Sequence, residues 1–191
     1  MDALDQQIVR RTLSGEPQAF EQIVLRYERG LYAHLFRLLG RVEDAEDLAQ
    51  ETFLNAFRHL RSFKVGQPFR PWLYRIATNA ALSMLRRRKI VIVSAEEEEI
   101  AIVAPDDEDI EVNETRFRHL EDVLQSLAPE ERALLDLHYR EGMKFQEIGE
   151  VLGRSAGAVG VALHRLRRQL REQMRCLEEE ERKEWAEDEM R

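Results

Sequence analysis

Residues 127–171 read LAPEERALLDLHYREGMKFQEIGEVLGRSAGAVGVALHRLRRQLR and decide the fold of the C-terminal part of the chain. Two amphipathic runs lie on either side of a tight Leu-Gly-Arg-Ser turn at 152–155, and the second run carries arginines on its outer face. Two helices joined in this way form a helix-turn-helix, the motif that places one helix in the major groove of DNA. The sequence therefore predicts a DNA-binding helical domain.

Signals at the helix ends support this prediction. Pro129 stands in the first turn of a helix, where its missing N–H leaves no hydrogen bond unmade. Apolar residues at helical spacing predict a short helix over 144–152. Gly153 ends that helix because glycine adopts the left-handed cap without steric cost. Ser155 then begins the next helix, since its hydroxyl can accept a hydrogen bond from a free backbone N–H.

The last predicted helix has two distinct faces. Its cationic side chains point away from the apolar stripe and would meet phosphates if the helix docks on a duplex. The alternative is a solvated basic helix in a small helical bundle. The inward stripe is Val159, Ala162, Leu166 and Leu170, and the cationic face is His164, Arg165, Arg168 and Arg171.

The net charge of −8 is unfavourable for a DNA-binding protein, but it is unevenly distributed. Residues 90–115 contain ten acidic side chains and no basic one, and residues 178–191 contain eight acidic and three basic ones. The remaining segments, which are those predicted to fold, are therefore net positive.

Composition also narrows the class of protein. Cys176 is the only cysteine among the 191 residues, so neither an internal disulfide nor a thiolate metal site is expected. No apolar run approaches the ~20 residues of a membrane span, and the N-terminus lacks the basic start and apolar core of a signal peptide. We expect a chain that does not insert into a membrane and works in the cytoplasm.

The apolar periodicity predicts an all-α fold with two small helical domains, the second containing the helix-turn-helix, joined by a flexible acidic linker. The linker contains two β-prone runs, 90–93 and 100–103, which could pair as a hairpin. We favour an extended segment in which charged residues flank the apolar runs. The predicted parts are an N-terminal domain over 1–89, the linker over 90–115, a C-terminal domain over 116–177 and an acidic tail over 178–191.

The predicted helix 69–89 combines aromatic with basic residues. Four aromatic residues crowd its start, and Arg-Arg-Arg-Lys at 86–89 closes it. The four are Phe63, Phe69, Trp72 and Tyr74. Such a surface suits single-stranded DNA, because bases stack on aromatic planes while cations follow the backbone. Alternatively, the aromatic residues belong to the core and the basic run stabilises the C-terminus of the helix.

Three ordered blocks of the sequence carry a family resemblance. They are DAEDLAQETF at 44–53, PWLYRIATN at 71–79, and the pair EIG at 147–149 with GRSAGAV at 153–159. Together they resemble the signature blocks of bacterial sigma factors of the extracytoplasmic-function (ECF) group. The resemblance covers most of residues 5–175 and implies a two-domain transcription initiation factor.

The resemblance implies partners and site residues. The chain would bind core RNA polymerase and promoter DNA without a cofactor, a metal or catalysis of its own, and such factors are often held by an anti-sigma factor. A conventional helix-turn-helix regulator that binds duplex DNA without core polymerase is the alternative. The implied residues are Asp44, Asp47, Gln50 and Glu51 for polymerase docking; Phe63, Lys64, Phe69, Trp72, Arg75, Asn79, Arg86, Arg87 and Arg88 for the melted minus-ten element; and Arg154, Ser155, Ala156, Gly157, Gly160, Val161, His164, Arg165 and Arg168 for the minus-thirty-five element.

The sequence departs from the family pattern at 158–162, which read Ala-Val-Gly-Val-Ala. The usual recognition helix has a threonine and more polar or basic residues there. Val161 and Ala156 could contact thymine methyl groups. Gly160 could allow the backbone to approach DNA closely. The alternative is that this glycine arose by neutral substitution and has no role.

The acidic linker and the tail each have two possible interpretations. In such factors the connector runs toward the active-site cleft and the RNA exit path, so residues 94–111 would act as an electrostatic mimic of RNA. The alternative is a solubilising spacer. Trp185 in the tail either meets a partner or marks an exposed end, and Cys176 is expected to be a passive thiol.

Overall fold

The computed structural model describes residues 2–92, 123–124 and 126–188. Every regular element in these ranges is helical, which confirms the predicted all-α fold. The hairpin alternative and the RNA mimic concern a linker that lies almost wholly outside the described residues. The helices are α1 (Asp2–Leu13), α2 (Glu21–Leu39), α3 (Val42–Arg58), α4 (Phe69–Ile92), α5 (Pro129–Leu135), α6 (Phe145–Leu152) and α7 (Ala156–Asp188), with 3₁₀ turns at Pro17–Phe20 and Leu60–Ser62 and a π-helical turn at Asp136–Arg140.

The N-terminal helices pack around the apolar stripe of α2. Ile23, Leu31 and Leu35 in this stripe are fully buried. Gly40 ends the helix in the left-handed region with φ of 71°, and its N–H bonds to the carbonyl of Phe36. Helix α3 packs against α2 through the small inward residues that the periodicity predicts, and all of them are buried: Ala45, Leu48, Ala49, Thr52 and Ala56.

Helix α4 is longer than the sequence suggests. It continues to Ile92, so the first three residues of the β-prone run at 90–93 are helical. The prediction of a linker beginning in extended form at residue 90 is wrong for this stretch. Extending an existing helix costs little, because the β-branched residues Val and Ile are disfavoured by less than ~1 kcal/mol each and nucleation is already complete.

The C-terminal helices follow the predicted helix-turn-helix order. Pro129 stands in the first turn of α5, and the π-helical turn follows that helix directly. Helix α6 ends at Gly153, and α7 begins after Ser155. Helix α7 runs on to Asp188, so the acidic tail from Glu178 continues the helix.

The N-terminal and C-terminal helices share one interface. Helix α6 packs along α4, and α5 contacts both α2 and α4. Leu73 and Ala77 of α4 belong to the same cluster of buried residues as Ile148 and Val151 of α6. This packing determines which faces of α4 and α7 remain exposed.

Candidate nucleic-acid and polymerase interfaces

The helix-turn-helix is shaped by its turn, residues 153–155. Gly153 adopts φ of 66°, and the hydroxyl of Ser155 accepts a hydrogen bond from the N–H of Ala158 at 3.1 Å, which confirms both predicted caps. Gly149 packs against this turn, where a Cβ would come within 2.5 Å of the carbonyl oxygen of Arg154. Glycine at 149 therefore allows the two helices to approach closely.

Gly160 has a packing role that the sequence interpretation did not include. A Cβ at this position would lie 3.3 Å from Cε2 of Phe145. The ring of Phe145 on α6 thus lies against the backbone of α7. The two residues are fifteen positions apart, and no local pattern links them.

The outer face of α7 is exposed and basic. Val161, at the centre of this face, is 71% exposed. A groove of about 640 Å³ runs beside it, lined by Glu130 and Glu131 of α5 and by Arg154 and Arg165. We call the following exposed residues the upstream face: Arg154, Ser155, Ala156, Gly157, Val161, His164, Arg165 and Arg168.

The aromatic residues at the start of α4 form a core cluster. Phe63 is 4% exposed and Phe69 is fully buried, with their ring centroids 5.4 Å apart. The core interpretation therefore holds for these two rings, because neither is accessible for stacking on a base. Trp72 packs against both rings but is only partly buried, so it retains accessible surface.

The polar residues predicted on α4 and in the preceding loop remain largely exposed. Arg75, Asn79 and Arg86 follow one another at spacings of four and seven, which places them on one face of the helix. Arg88 differs, because its guanidinium donates to Asp44 of α3 at 2.5 Å. We call the following exposed residues the downstream face: Lys64, Arg75, Asn79, Arg86 and Arg87.

Helix α3 presents a mostly acidic face. Asp47, Gln50 and Glu51 are exposed, as a docking surface requires. Asp44 is partly buried in its pairing with Arg88, which joins the acidic face to the basic end of α4. We call Asp47, Gln50, Glu51 and Leu54 the docking face.

Leu54 lies on the same face of α3 and was missed by the sequence interpretation. It follows Gln50 and Glu51 by four and three positions, and it is 54% exposed. A leucine on the outward side of an amphipathic helix was the signal that could have revealed it. Its exposure gives the acidic face an apolar residue at its C-terminal end.

The described residues form neither a metal-binding cluster nor a membrane-spanning helix. Within 2–92, 123–124 and 126–188, no group of three or more His, Cys, Asp or Glu side chains is arranged to hold a metal ion. Nor does any helix of these ranges have the length and apolar character needed to cross a membrane.

Comparison with known proteins assigns the family. Residues 23–90 match Sigma-70 region 2, and residues 117–170 match Sigma-70, region 4. The ECF RNA polymerase sigma factor SigW of Bacillus subtilis (strain 168) is 31% identical, over 93% of this chain and its own full length. The chain is an ECF sigma factor. Another relative, the RNA polymerase sigma factor CarQ of Myxococcus xanthus, is 38% identical over 89% of this sigma factor and 97% of its own length.

Solved structures share the fold of this sigma factor. CnrH, solved in complex with the cytosolic domain of CnrY, superimposes with a TM-score of 0.68 at 25% identity over 91% of this chain and 98% of its own. RpoE of Bartonella quintana, solved with the anti-sigma factor NepR, gives a TM-score of 0.67 at 23% identity over 82% and 96% of the two chains. The predicted role in transcription initiation is confirmed, and the alternative of a conventional regulator gains no support.

A buried polar cluster joins the N-terminal and C-terminal helices of this sigma factor, and sequence reasoning did not foresee it. His34 of α2 is fully buried, with Nδ1 2.5 Å from Oδ2 of Asp136 and Nε2 2.9 Å from the hydroxyl of Thr78. Because a carboxylate only accepts, Nδ1 is the donor, and the hydroxyl of Thr78 can either donate to Nε2 or accept from it. Arg37 also donates to Asp136.

Asp136 remains ionised at this interface. Burial alone would raise the pKa of Asp136, but hydrogen bonds from His34 and Arg37 and the charge of Arg37 hold that pKa below its usual value. The residue stands within the apolar run Ala133–Leu137. A lone carboxylate in such a run needs a partner, and this was the sequence signal that could have suggested the cluster.

Glu141 forms the second half of the cluster. Its carboxylate accepts hydrogen bonds from the hydroxyl of Tyr74 at 2.7 Å, from Arg37 at 3.2 Å and from Arg70. Burial and the adjacent carboxylate of Glu141 raise the pKa of Tyr74 above its usual value, so the phenol stays protonated and continues to donate. The C-terminal helices are thus held on α2 and α4 by two carboxylates with four partner residues, of which Arg37 binds both.

Proposed function

We propose that the three exposed faces divide the work of a sigma factor between two domains, 1–89 and 116–177. The upstream face binds the minus-thirty-five element, the downstream face binds and melts the minus-ten element, and the docking face binds core RNA polymerase. One observation carries the proposal: most residues that the family resemblance implies stay exposed on separate helices, whereas the interface between the domains buries other residues.

The upstream face suits a DNA major groove. Arg165 and Arg168 supply cations for phosphates, and His164 supplies a ring N–H donor; phosphate contacts fix the position of a helix on the duplex without reading sequence. Val161 and Ala156 supply methyl groups that can contact thymine methyls in the groove. We infer a recognition helix that relies on shape and apolar contact more than on bidentate hydrogen bonds.

The downstream face suits a strand that leaves the duplex. Arg75, Asn79 and Arg86 form a polar row along α4, and Trp72 keeps accessible surface at the start of this row. Extruding a base costs a few kcal/mol of stacking, which a pocket with stacking and hydrogen-bonding groups offsets. We place that pocket between α4 and the loop at 63–68, with Lys64 contributing to the strand backbone.

The docking face combines charge with apolar area. Asp47 and Glu51 provide long-range attraction to a basic partner, which raises the rate of association. Leu54 provides the apolar contact that interfaces concentrate at their centre. We infer that this face binds the largest subunits of the polymerase.

Promoter binding requires the two domains to separate. Elements named for positions ~25 base pairs apart lie ~85 Å apart along B-form DNA at ~3.4 Å per base pair. A compact chain of this length has a radius of gyration of only about 16 Å. The packed arrangement also pairs Arg86 of the downstream face with Glu130 at 3.9 Å. We infer that α5–α7 leave α4 when both elements are bound.

Further roles follow from the same proposal. The acidic linker at 94–111 would act as an RNA mimic near the polymerase active site. CnrH and RpoE were solved with CnrY and NepR bound, which supports an anti-sigma partner for this chain. The chain would act without catalysis of its own, in the cytoplasm where polymerase is found.

Transcription with purified components tests the proposal. The chain should co-migrate with core RNA polymerase, and the mixture should produce run-off transcripts from a promoter library randomised at the two elements. The recovered templates should share sequence at both elements. Absence of co-migration and of transcripts would overturn the proposal and favour a regulator that binds duplex DNA alone.

Energy transfer tests the separation of the domains. One dye would label Cys176, the native cysteine, and the other a cysteine introduced at the exposed Gln7 by Gln7→Cys. Transfer should be high in the free protein and fall when core polymerase and promoter are added. Unchanged transfer in the promoter complex would contradict the separation.

A further inference from the structure

The loop at 63–68, which joins α3 to α4, contacts the N-terminal helix through one side chain. The Oε1 atom of Gln6 accepts a hydrogen bond from the N–H of Gly66 at 2.9 Å, and Nε2 of Gln6 donates to the carbonyl of Gln67. Both ends of one amide thus bind consecutive backbone groups of the loop. We propose that Gln6 is a positioning residue that holds this loop in the shape that receives the extruded minus-ten base.

Helix α1 provides a fixed support for Gln6. Ile8 and Val9 on the same helix are buried in the core at 2% and 0% exposure. Asp5, the neighbour of Gln6, is fully buried and accepts a hydrogen bond from the hydroxyl of Tyr27 on α2 at 2.6 Å. These contacts fix α1 to the N-terminal domain, so Gln6 binds the loop from a rigid element.

The tip of the loop has little burial to hold it. Lys64, Val65, Gly66 and Gln67 are all exposed, whereas Phe63 before them is buried. Gly66 adopts φ of 105°, and the N–H of Gln67 bonds to the carbonyl of Lys64 at 3.1 Å. This tight turn could take several orientations, because apolar packing does not fix it. The two hydrogen bonds of Gln6 select one of them.

The proposal rests on the role of the loop in melting the minus-ten element. A loop already held in its bound shape loses less conformational entropy when DNA arrives. Gln6 would therefore stabilise the melted complex without touching DNA. It would have little effect on the closed complex, in which the duplex is still intact.

The test compares three variants in holoenzyme formed with core polymerase. Gln6→Ala removes both hydrogen bonds, and Gln6→Glu keeps the acceptor for Gly66 but loses the donor to Gln67. Gln7→Ala is the matched control, because Gln7 is the next residue on α1 and is exposed. Melting would be followed by the fluorescence of 2-aminopurine in the minus-ten element. Closed-complex affinity at low temperature and the thermal unfolding of each free variant would be measured in parallel.

Gln6→Ala should lower the equilibrium constant for conversion of the closed to the open complex roughly five- to tenfold, as expected for two hydrogen bonds of ordinary strength. The equilibrium constant of Gln6→Glu should lie between that of Gln6→Ala and that of the wild type. Closed-complex affinity should match that of Gln7→Ala, and the unfolding temperature should fall by only about 2–6 °C, because the same two hydrogen bonds also form in the free protein.

Two outcomes would overturn the positioning role. One is normal melting by Gln6→Ala. The other is an equal loss of melting, closed-complex affinity and unfolding temperature, which would mean that Gln6 only stabilises the fold. An inactive wild-type holoenzyme would instead refute the proposed function, so the two failures are distinguishable.

Discussion

Nδ1 of His34 lies 2.5 Å from Oδ2 of Asp136, although the two residues are 102 positions apart in the sequence. The imidazole comes from the second helix of the N-terminal group, and the carboxylate comes from the π-helical turn that precedes the helix-turn-helix. Both side chains are buried. The contact ties the N-terminal helices to the C-terminal helices through paired polar groups.

Asp136→Asn should weaken the packing between the domains. The substitution keeps the shape but removes the charge that His34 and Arg37 bind, and a charge-assisted hydrogen bond contributes about 2 kcal/mol. The radius of gyration of the free protein, measured by small-angle X-ray scattering, should therefore increase. Glu150→Gln, at an exposed position of α6, is the control. Equal radii for the two variants would show that the ion pair does not hold the domains together.

The carboxylate of Asp136 also predicts that the two groups of helices come apart in acid. Because the pKa of Asp136 is held below its usual value of 3.8, its contribution to stability is present above that value and is lost as the pH falls through the lower, folded pKa. The groups that face it are His34 and Arg37. Scattering between pH 7 and pH 3 should show opening only toward the acid end. In Asp136→Asn the radius of gyration should no longer increase as the pH falls through this range. An increase equal to that of the wild type would mean that other groups cause the opening in acid.

Gly149→Ala should destabilise the C-terminal domain. The added methyl would lie 2.5 Å from the backbone carbonyl of Arg154, which cannot move without breaking the turn. We expect a loss of about 2–3 kcal/mol in the free energy of unfolding, typical of overpacking. Gly157→Ala is the matched control, since no atom lies within 4 Å of its new methyl group. It should be neutral or stabilising by about 0.5 kcal/mol, and chemical denaturation compares the two. A similar loss in both variants would rule out the steric explanation.

Arg165→Ala should weaken promoter binding by the holoenzyme. Removing one phosphate contact should also reduce the slope of log affinity against log salt by about 1. Arg175→Ala tests the same change ten residues further along α7, about 15 Å away, where the side chain is 71% exposed. Wild-type affinity and slope for Arg165→Ala would place DNA on a different face of α7.

Leu54→Ala should reduce affinity for core polymerase without affecting folding. An apolar anchor at the centre of an interface contributes enough that its truncation commonly costs about tenfold in affinity. Because Leu54 is 54% exposed in the free chain, its loss should leave the unfolding free energy nearly unchanged. Leu4→Ala, at a 47% exposed leucine on α1, serves as the comparison. Unaltered polymerase affinity for Leu54→Ala would remove this residue from the docking face.

Features set by neighbouring residues were predictable from the sequence. The cap at Ser155 and the left-handed glycine at 153 depend on side chains within three positions of the backbone groups they serve. The inward faces of α2 and α3 depend on helical periodicity alone. The same local reasoning failed at 90–92, where β-branched residues suggested extended chain but the preceding helix continued through them.

Features set by distant residues were not predictable. The pairing of Asp136 with His34 depends on how α5 and its π-helical turn meet α2, which no local pattern encodes. Burial of Phe69 likewise depends on Phe63, Tyr27 and Trp72 surrounding one ring. The sequence identified the aromatic cluster, but only the packing separated its core members from Trp72.

The contact between Phe145 and Gly160 restricts which residues position 160 accepts. A side chain at 160 would bring its Cβ within 3.3 Å of the Phe145 ring, so the ring must shift by a few tenths of an ångström to accept it. Position 157 has open space around it, and position 161 is 71% exposed. If α7 docks on the upstream element as proposed, a change of promoter preference would proceed through this outermost row of the helix, and few substitutions would redirect the chain to a different set of promoters.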